Sequence, residues 1–232
     1  VVKMSTKEKQ DEAGYIEREK ERQKKMYRLE EELLEAGYKL IAGIDEAGRG
    51  PLAGPVFAAA AIIPPGTFIE NLNDSKKLTT KKRELVFQQM LELKIPYGIG
   101  LASVEEIDRY NILRASRLAM KRAVSNLPIK PDYLLIDGYS WPGITIEHQG
   151  VIGGDALSLS IAAASIFAKV TRDQLMIRVD KLFPGYGFAK HKGYPTAEHF
   201  TALARLGPSV IHRRSFNLHS QSALNLERNE SI

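Results

Sequence analysis

From Tyr38 onward the hydrophobic positions stop being scattered and gather into short solid runs separated by glycine, proline and charge. Leu40 to Ile44 and Pro55 to Ile63 are two such runs, parted by a Gly/Pro-rich segment, which is the pattern of consecutive strands. A third run, Tyr97 to Ser103, follows a helical stretch from Thr79 to Leu93. Asn111 to Asn126 has helical periodicity, with Ile112, Leu113, Leu118, Ala119 and Ala123 on its expected buried side. Tyr133 to Ile136 is short and wholly apolar, as expected of a strand covered on both faces, and Asp137 ends it. Ile144 to Glu147 is read as one more strand. Asp155 to Leu182 is read as a long helix whose Ala162, Ala163, Ala164 and Ala168 allow close approach to a sheet, and Thr196 to Leu206 as a helix behind Pro195. Strands interleaved with helices, some joined too tightly for crossovers, predict a mixed α/β sheet.

Before Gly37 the pattern is different. Ser5 to Glu35 is dominated by Lys, Glu, Arg and Gln, with a thin apolar stripe at Tyr15, Ile16, Met26, Leu29 and Leu33. We expect residues 1–36 to form a charged, solvated helical appendage and residues 37–232 to form the compact domain, including a C-terminal helical region. At 232 residues and 44% hydrophobic content the chain can bury one substantial core. The longest apolar stretch, Pro51 to Pro65, is interrupted by prolines and falls short of the ~20 residues a spanning helix requires, so no membrane role is expected. The N-terminus lacks an apolar signal core, and with no cysteine in the chain the expected location is the reducing cytoplasm. Any metal must then be held by oxygen or imidazole. A net charge of +5 permits a polyanionic partner without naming it.

The candidate chemistry begins where the first strand ends. In Gly43-Ile44-Asp45-Glu46-Ala47-Gly48-Arg49-Gly50-Pro51, adjacent carboxylates leave an apolar run and are followed by glycines around an arginine. Carboxylates at the end of a buried strand are costly unless a cation satisfies them. Gly48 and Gly50 can let a polyanion approach the backbone, and Arg49 adds a planar donor suited to phosphate. The alternative is a solvated turn. Asp137 ends a strand before Gly138. Asp155 follows Gly153-Gly154 and opens a helix, where N-capping is its ordinary role. Together Asp45, Glu46, Asp137 and Asp155 occupy element ends, which an α/β sheet tends to gather in one crevice. Convergent hard oxygen donors repel one another without cations and suit two-metal phosphoryl transfer.

Beyond these short patterns the chain carries long ordered strings: Asp45 through Val56, Asp74-Ser75-Lys76-Lys77-Leu78, Ile136-Asp137-Gly138 and Gly154-Asp155-Ala156. Ser160 through Ile166, Ala168 through Asp173 and His191 through Thr196 follow. In these the chain closely resembles bacterial ribonuclease HII, a type 2 ribonuclease H, from about Gly37 to about Gly207. The resemblance implies a ribonuclease H-like fold, a mixed five-stranded sheet flanked by helices. It also implies an endoribonuclease producing 5′-phosphomonoesters, acting as a monomer on RNA/DNA hybrids and on DNA duplex containing ribonucleotides. Asp45, Glu46, Asp137 and Asp155 would bind Mg²⁺ or Mn²⁺ at a two-metal site. Gly48, Arg49 and Gly50 would read the 2′-hydroxyl, the group that separates RNA from DNA. Tyr194 would stack on the following deoxyribose, and Ser75, Lys76 and Lys77 would hold phosphates.

The resemblance fails at Leu157, where many relatives carry a basic residue, so a phosphate or carboxylate contact is expected to be missing there. Each supporting residue also has an ordinary reading: Lys76 and Lys77 as solvated loop charges, Tyr194 as a packed loop aromatic, Tyr139 and Trp141 as a closed turn, and His191 and His199 as structural or phosphate-proximal rather than metal-binding. Two alternatives compete for the whole chain. Ribonuclease HIII shares the chemistry, but Arg49 between glycines argues against it. A non-catalytic hybrid-binding protein is disfavoured by the intact carboxylate set.

Overall fold

The computed structural model describes residues 6–140 and 142–219. Trp141 and the residues beyond 219 lie outside the described residues. In chain order the elements are α1 (Thr6–Met26), α2 (Arg28–Glu35), β1 (Ile41–Ala47), β2 (Val56–Ala61), α3 (Thr80–Glu92), β3 (Tyr97–Ala102), α4 (Val104–Tyr110), α5 (Ile112–Ser125), β4 (Tyr133–Asp137), β5 (Glu147–Val151), α6 (Leu159–Leu182), α7 (Phe188–His191) and α8 (Ala197–Leu206). The strands form one five-stranded sheet in the order β3-β2-β1-β4-β5. β1 runs antiparallel to β2 and parallel to β4, so the sheet is mixed.

Both faces are covered, and alanine is the reason the layers can lie close. On β2 the side chains alternate: Ala58 and Ala60 pack in the cluster with Ala115, Ala119 and Ala123 of α5, while Ala59 and Ala61 pack with Ala162, Ala163 and Ala164 of α6. Gly43 of β1 takes this to its limit, since a Cβ there would lie 2.1 Å from the Ile161 nitrogen of α6. α6 is therefore buried through most of its first half, as a helix without a polar face must be.

Several elements depart from the hydropathy reading. β1 runs on through Ala47, because β2 continues to pair with it as far as Ala47↔Phe57 after β4 has ended its pairing at Ile44↔Ile136. Asp45 and Glu46 are thus inside the strand on its antiparallel side. The last strand lies at Glu147–Val151 rather than 144–147, and as an edge strand with a largely polar sequence it carries little apolar signal. α4 was not anticipated, although Ser103 and Glu106 close a reciprocal capping box at its start. On α5 the buried side includes Ala115, Ser116 and Met120, whereas Leu113 is exposed.

The reading of the N-terminal segment as a solvated helix is corrected. It breaks at Tyr27 into α1 and α2, and Gln23, Met26, Tyr27 and Glu30 are buried against the rest of the chain. Polar anchors do much of the docking. Gln23 Nε2 donates to the Ile69 carbonyl at 2.6 Å and Tyr27 donates to the Ile63 carbonyl at 3.0 Å. Glu30 Oε1 accepts from Ser158 Oγ at 2.6 Å and from the Ser160 amide at 2.9 Å. Such contacts leave no trace in an apolar stripe.

Candidate active site

The strand pleat decides which carboxylates meet. β1 and β4 lie side by side and parallel, and one rung beyond Ile44↔Ile136 their next residues are Asp45 and Asp137. Both follow the phase of Gly43 and Leu135, the phase turned toward α6. Asp155 reaches the same edge on a 3₁₀ turn, Gly154–Ala156, just before α6. Carboxylate oxygens of Asp45, Asp137 and Asp155 all lie within 4.8 Å of one another. Glu46 belongs to the opposite pleat and stays outside this tight group, pairing with Arg49 at 3.2 Å.

The capping alternative for Asp155 does not hold. Ser158 caps α6, its Oγ accepting from the Ile161 amide at 3.1 Å, and Asp155 is free to face Lys76, whose Nζ lies 3.0 Å from Oδ2. The turn is tied to β4 by the Gly154 amide, which donates to Asp137 Oδ1 at 2.8 Å.

Burial, followed by repulsion from Glu46 and Asp137, holds the Asp45 carboxyl well above the usual carboxylate range. Burial and Asp155 raise Asp137. Burial also raises Glu46, with Arg49 pulling against it. Burial would lower the Lys76 ammonium, but its hydrogen bond to Asp155 and the charges of Asp155, Asp45 and Asp74 outweigh that and hold it above its ordinary range. Lys76 on Asp155 and Arg49 on Glu46 do not balance four carboxylates. A compact set of hard oxygen donors short of positive charge fits Mg²⁺ or Mn²⁺.

Beside the carboxylates, the glycine-arginine loop rests on two fully buried guanidiniums that the sequence reading did not single out. Arg213 donates to the carbonyls of Gly48 (2.6 Å), Arg49 (2.9 Å) and Gly54 (2.9 Å). Arg172 donates to those of Ala53 (3.1 Å), Pro55 (3.1 Å) and Lys192 (3.0 Å). Burial, then the nearby Arg172, pushes Arg213 down to about 9, which leaves it charged at neutral pH. Gly48 has φ +95°, and a Cβ there would lie 2.0 Å from Arg172 Nε, so glycine is required by the arginine beneath it. Gly50 is different: its nearest neighbour would be Tyr194 Cε1 at 3.8 Å. For Arg172 a signal existed, because Ala168, Arg172 and Met176 share one helical face and its neighbours on that face are core residues. Arg213 had none.

Tyr194 is half-buried beside that loop, with Lys169 Nζ 5.3 Å and Arg172 Cζ 5.7 Å from its ring centre. A chain of imidazoles fixes its backbone. The Ser209 amide donates to His212 Nδ1 at 2.9 Å, His212 Nε2 meets His199 Nε2 at 3.0 Å, and His199 Nδ1 lies 2.9 Å from the Tyr194 carbonyl. That carbonyl can only accept, so this arrangement assigns the proton to His199 Nδ1 and leaves His199 Nε2 to accept from His212. His191 is bonded to the Tyr186 carbonyl at 2.8 Å. The histidines are structural here.

Ser75, Lys76 and Lys77 diverge. Ser75 is buried, its amide donating to Ser165 Oγ at 3.3 Å and its carbonyl accepting from Arg83; Lys76 faces Asp155, and Lys77 is exposed. Leu157 is 52% exposed.

A family model for ribonuclease HII matches residues 42–219, a span containing all of these residues. The chain is 57% identical over 198 residues to a ribonuclease HII of Moorella thermoacetica, covering 85% of this chain and 96% of that one. It is 59% identical over 198 residues to a ribonuclease HII of Desulfitobacterium hafniense strain Y51, covering 85% and 76% respectively. Among solved structures, the ribonuclease H2 from Pyrococcus horikoshii OT3 superposes with a TM-score of 0.64 at 28% identity, over 84% of this chain and 100% of that one.

Proposed function

The chain belongs to the ribonuclease HII family, and from that premise we propose that it hydrolyses the RNA strand of RNA/DNA hybrids and cuts 5′ of single ribonucleotides embedded in duplex DNA, leaving 3′-hydroxyl and 5′-phosphate ends. The observation that best supports this is the convergence of Asp45, Asp137 and Asp155 within 4.8 Å beside the Gly48-Arg49-Gly50 loop. Asp45, Asp137 and Asp155, joined by Glu46, hold divalent cations, Mg²⁺ or Mn²⁺. When bound, these lower the pKa of the attacking water and offset charge on the departing 3′ oxygen.

The chain's own groups supply position and selectivity. Lys76 screens Asp155 and, being largely exposed, can turn to a substrate phosphate. Arg213 engages the carbonyls of Gly48 and Arg49 from within the fold, so we assign the reading of the 2′-hydroxyl to the loop's amide groups. Tyr194 packs on the next sugar, where an added hydroxyl would obstruct it, and Ser75 and Lys77 flank the phosphates. We take residues 37–232 as the catalytic unit, acting as a monomer in the cytoplasm, with residues 1–36 attached to it. Among the described residues no helix is long and apolar enough to cross a membrane.

A labelled DNA duplex holding one ribonucleotide, incubated with Mg²⁺, Mn²⁺ or EDTA, tests the reading directly. A single cut 5′ of the ribonucleotide, lost in EDTA, is expected. No cut, or a cut indifferent to EDTA, would overturn it.

A further inference from the structure

The segment expected to be a solvated appendage instead builds one wall of a cleft. A cavity of about 340 Å³ opens between the end of α1, the loop before α3 and the turn that carries Asp155; it is lined by Arg22, Lys25, Met26, Asn73, Lys77 and Leu157, with Ala156 at its edge. Three lining residues are cations and none is acidic. The wall is held in place. Arg22 donates to Glu19 and to the Leu72 carbonyl, and Gln23 clips α1 to the backbone of Ile69, so Lys25 projects from a helix fixed relative to Lys77. Lys25 and Lys77 are exposed. Leu157, half exposed and two residues beyond Asp155, adds apolar surface to the lining, and the buried Met26 closes the wall behind it.

We propose that this cleft binds the sugar–phosphate backbone of the substrate strand next to the scissile position, with Lys25 and Lys77 on the phosphate and Leu157 under the sugar. The inference rests on the nuclease reading above. Cations around a partly apolar floor suit a sugar–phosphate, whereas an inorganic anion would gain nothing from the leucine. The location favours the same occupant, because Lys77 follows Lys76, which contacts Asp155, and Leu157 continues the Asp155 turn. α1 is thereby part of the substrate channel, and it supplies positive charge at an edge where residue 157 has none.

The test compares Lys25→Glu and Lys25→Ala with Lys24→Glu, a change on an exposed residue of the same helix that does not line the cleft. Cleavage of a duplex with one ribonucleotide is measured in Mg²⁺, and binding of the same duplex is measured in EDTA across a salt series. Lys25→Glu should raise KM and weaken binding on the order of tenfold, more than it changes kcat. It should also reduce the magnitude of the slope of log affinity against log salt by about 1. Lys25→Ala should act in the same direction, and Lys24→Glu should match wild type. Equal effects from Lys24→Glu and Lys25→Glu, or an unchanged salt slope, would overturn the cleft while leaving the nuclease reading standing. A wild-type protein that neither binds nor cuts the duplex would overturn both.

Discussion

Replacing Asp45 by asparagine separates two things the carboxylate does: it holds a cation, and in the cation's absence it burdens the fold. Asp45 is 4% exposed, and its Oδ1 accepts the Glu46 amide at 2.7 Å, a bond that an asparagine oxygen can keep. The change therefore removes charge with little loss of packing. Two unit charges within 4.8 Å of each other repel by roughly 3 kcal/mol or more at an effective dielectric near 20. Lys76 and proton uptake relieve part of this, so we expect the metal-free variant to be ~1–3 kcal/mol more stable than wild type near neutral pH. At about 2–4 °C per kcal/mol for a chain of this size, Tm in EDTA should rise by about 2–12 °C.

The sign with pH follows from the direction of the shift. A carboxyl whose folded pKa lies above its unfolded value stabilises the fold at low pH and loses that contribution as pH rises from its unfolded pKa toward the folded one. The advantage of the variant should accordingly be small near pH 4 and grow above it. Mg²⁺ acts against the variant, since a cation at a hundredfold excess over its Kd adds about 2.7 kcal/mol to wild type and much less to a protein lacking one ligand, so the gap in Tm narrows or inverts. Thermal melts in EDTA and in Mg²⁺ across pH, paired with cleavage of the single-ribonucleotide duplex, read all of this. A variant less stable than wild type in EDTA, or one that retains near wild-type turnover in Mg²⁺, would refute the reasoning.

Gly48→Ala must push the buried Arg172 side chain aside and adopt φ +95°, so a loss of about 2–4 kcal/mol in urea unfolding is expected, whereas Gly50→Ala should cost under about 1 kcal/mol. Tyr194→Ala should slow cleavage at an RNA-to-DNA junction by roughly 5- to 150-fold, and more than it slows cleavage within a uniform hybrid; equal losses on the two substrates would leave Tyr194 a general positioning residue. Burial, then His199, pushes His212 down to about 4, so the unfolded chain takes up its proton first as pH falls below about 6.5. Stability should drop by about 1–2 kcal/mol between about pH 7 and about pH 5 on this account, and urea midpoints of His212→Gln should show a shallower fall.

Hydrophobic pattern alone determined that this chain forms a mixed α/β sheet, roughly where four of its five strands lie, and that Asp45, Asp137 and Asp155 stand at or near element ends. Those features are local: apolar runs, breakers and a carboxylate beside them are visible within a few residues. The edge strand Glu147–Val151 was misplaced because its environment demands little hydrophobicity, and α4 went unseen although its Ser103/Glu106 capping signature is written in the chain. Tertiary structure alone decided the rest. Asp155 meets Asp45 only because α6 packs directly over Gly43 and presents its leading turn at the edge of the sheet, and Glu46, one residue from Asp45, is turned away by the period-two pleat. The docking of α1 and α2 rests on buried polar groups, Gln23, Glu30 and Tyr27, whose partners lie far along the chain. Arg172 and Arg213 likewise become interior residues because main-chain carbonyls from distant loops converge on them. Hydropathy scores such residues as solvent-seeking, and only a folded backbone can offer the acceptors that make their burial affordable.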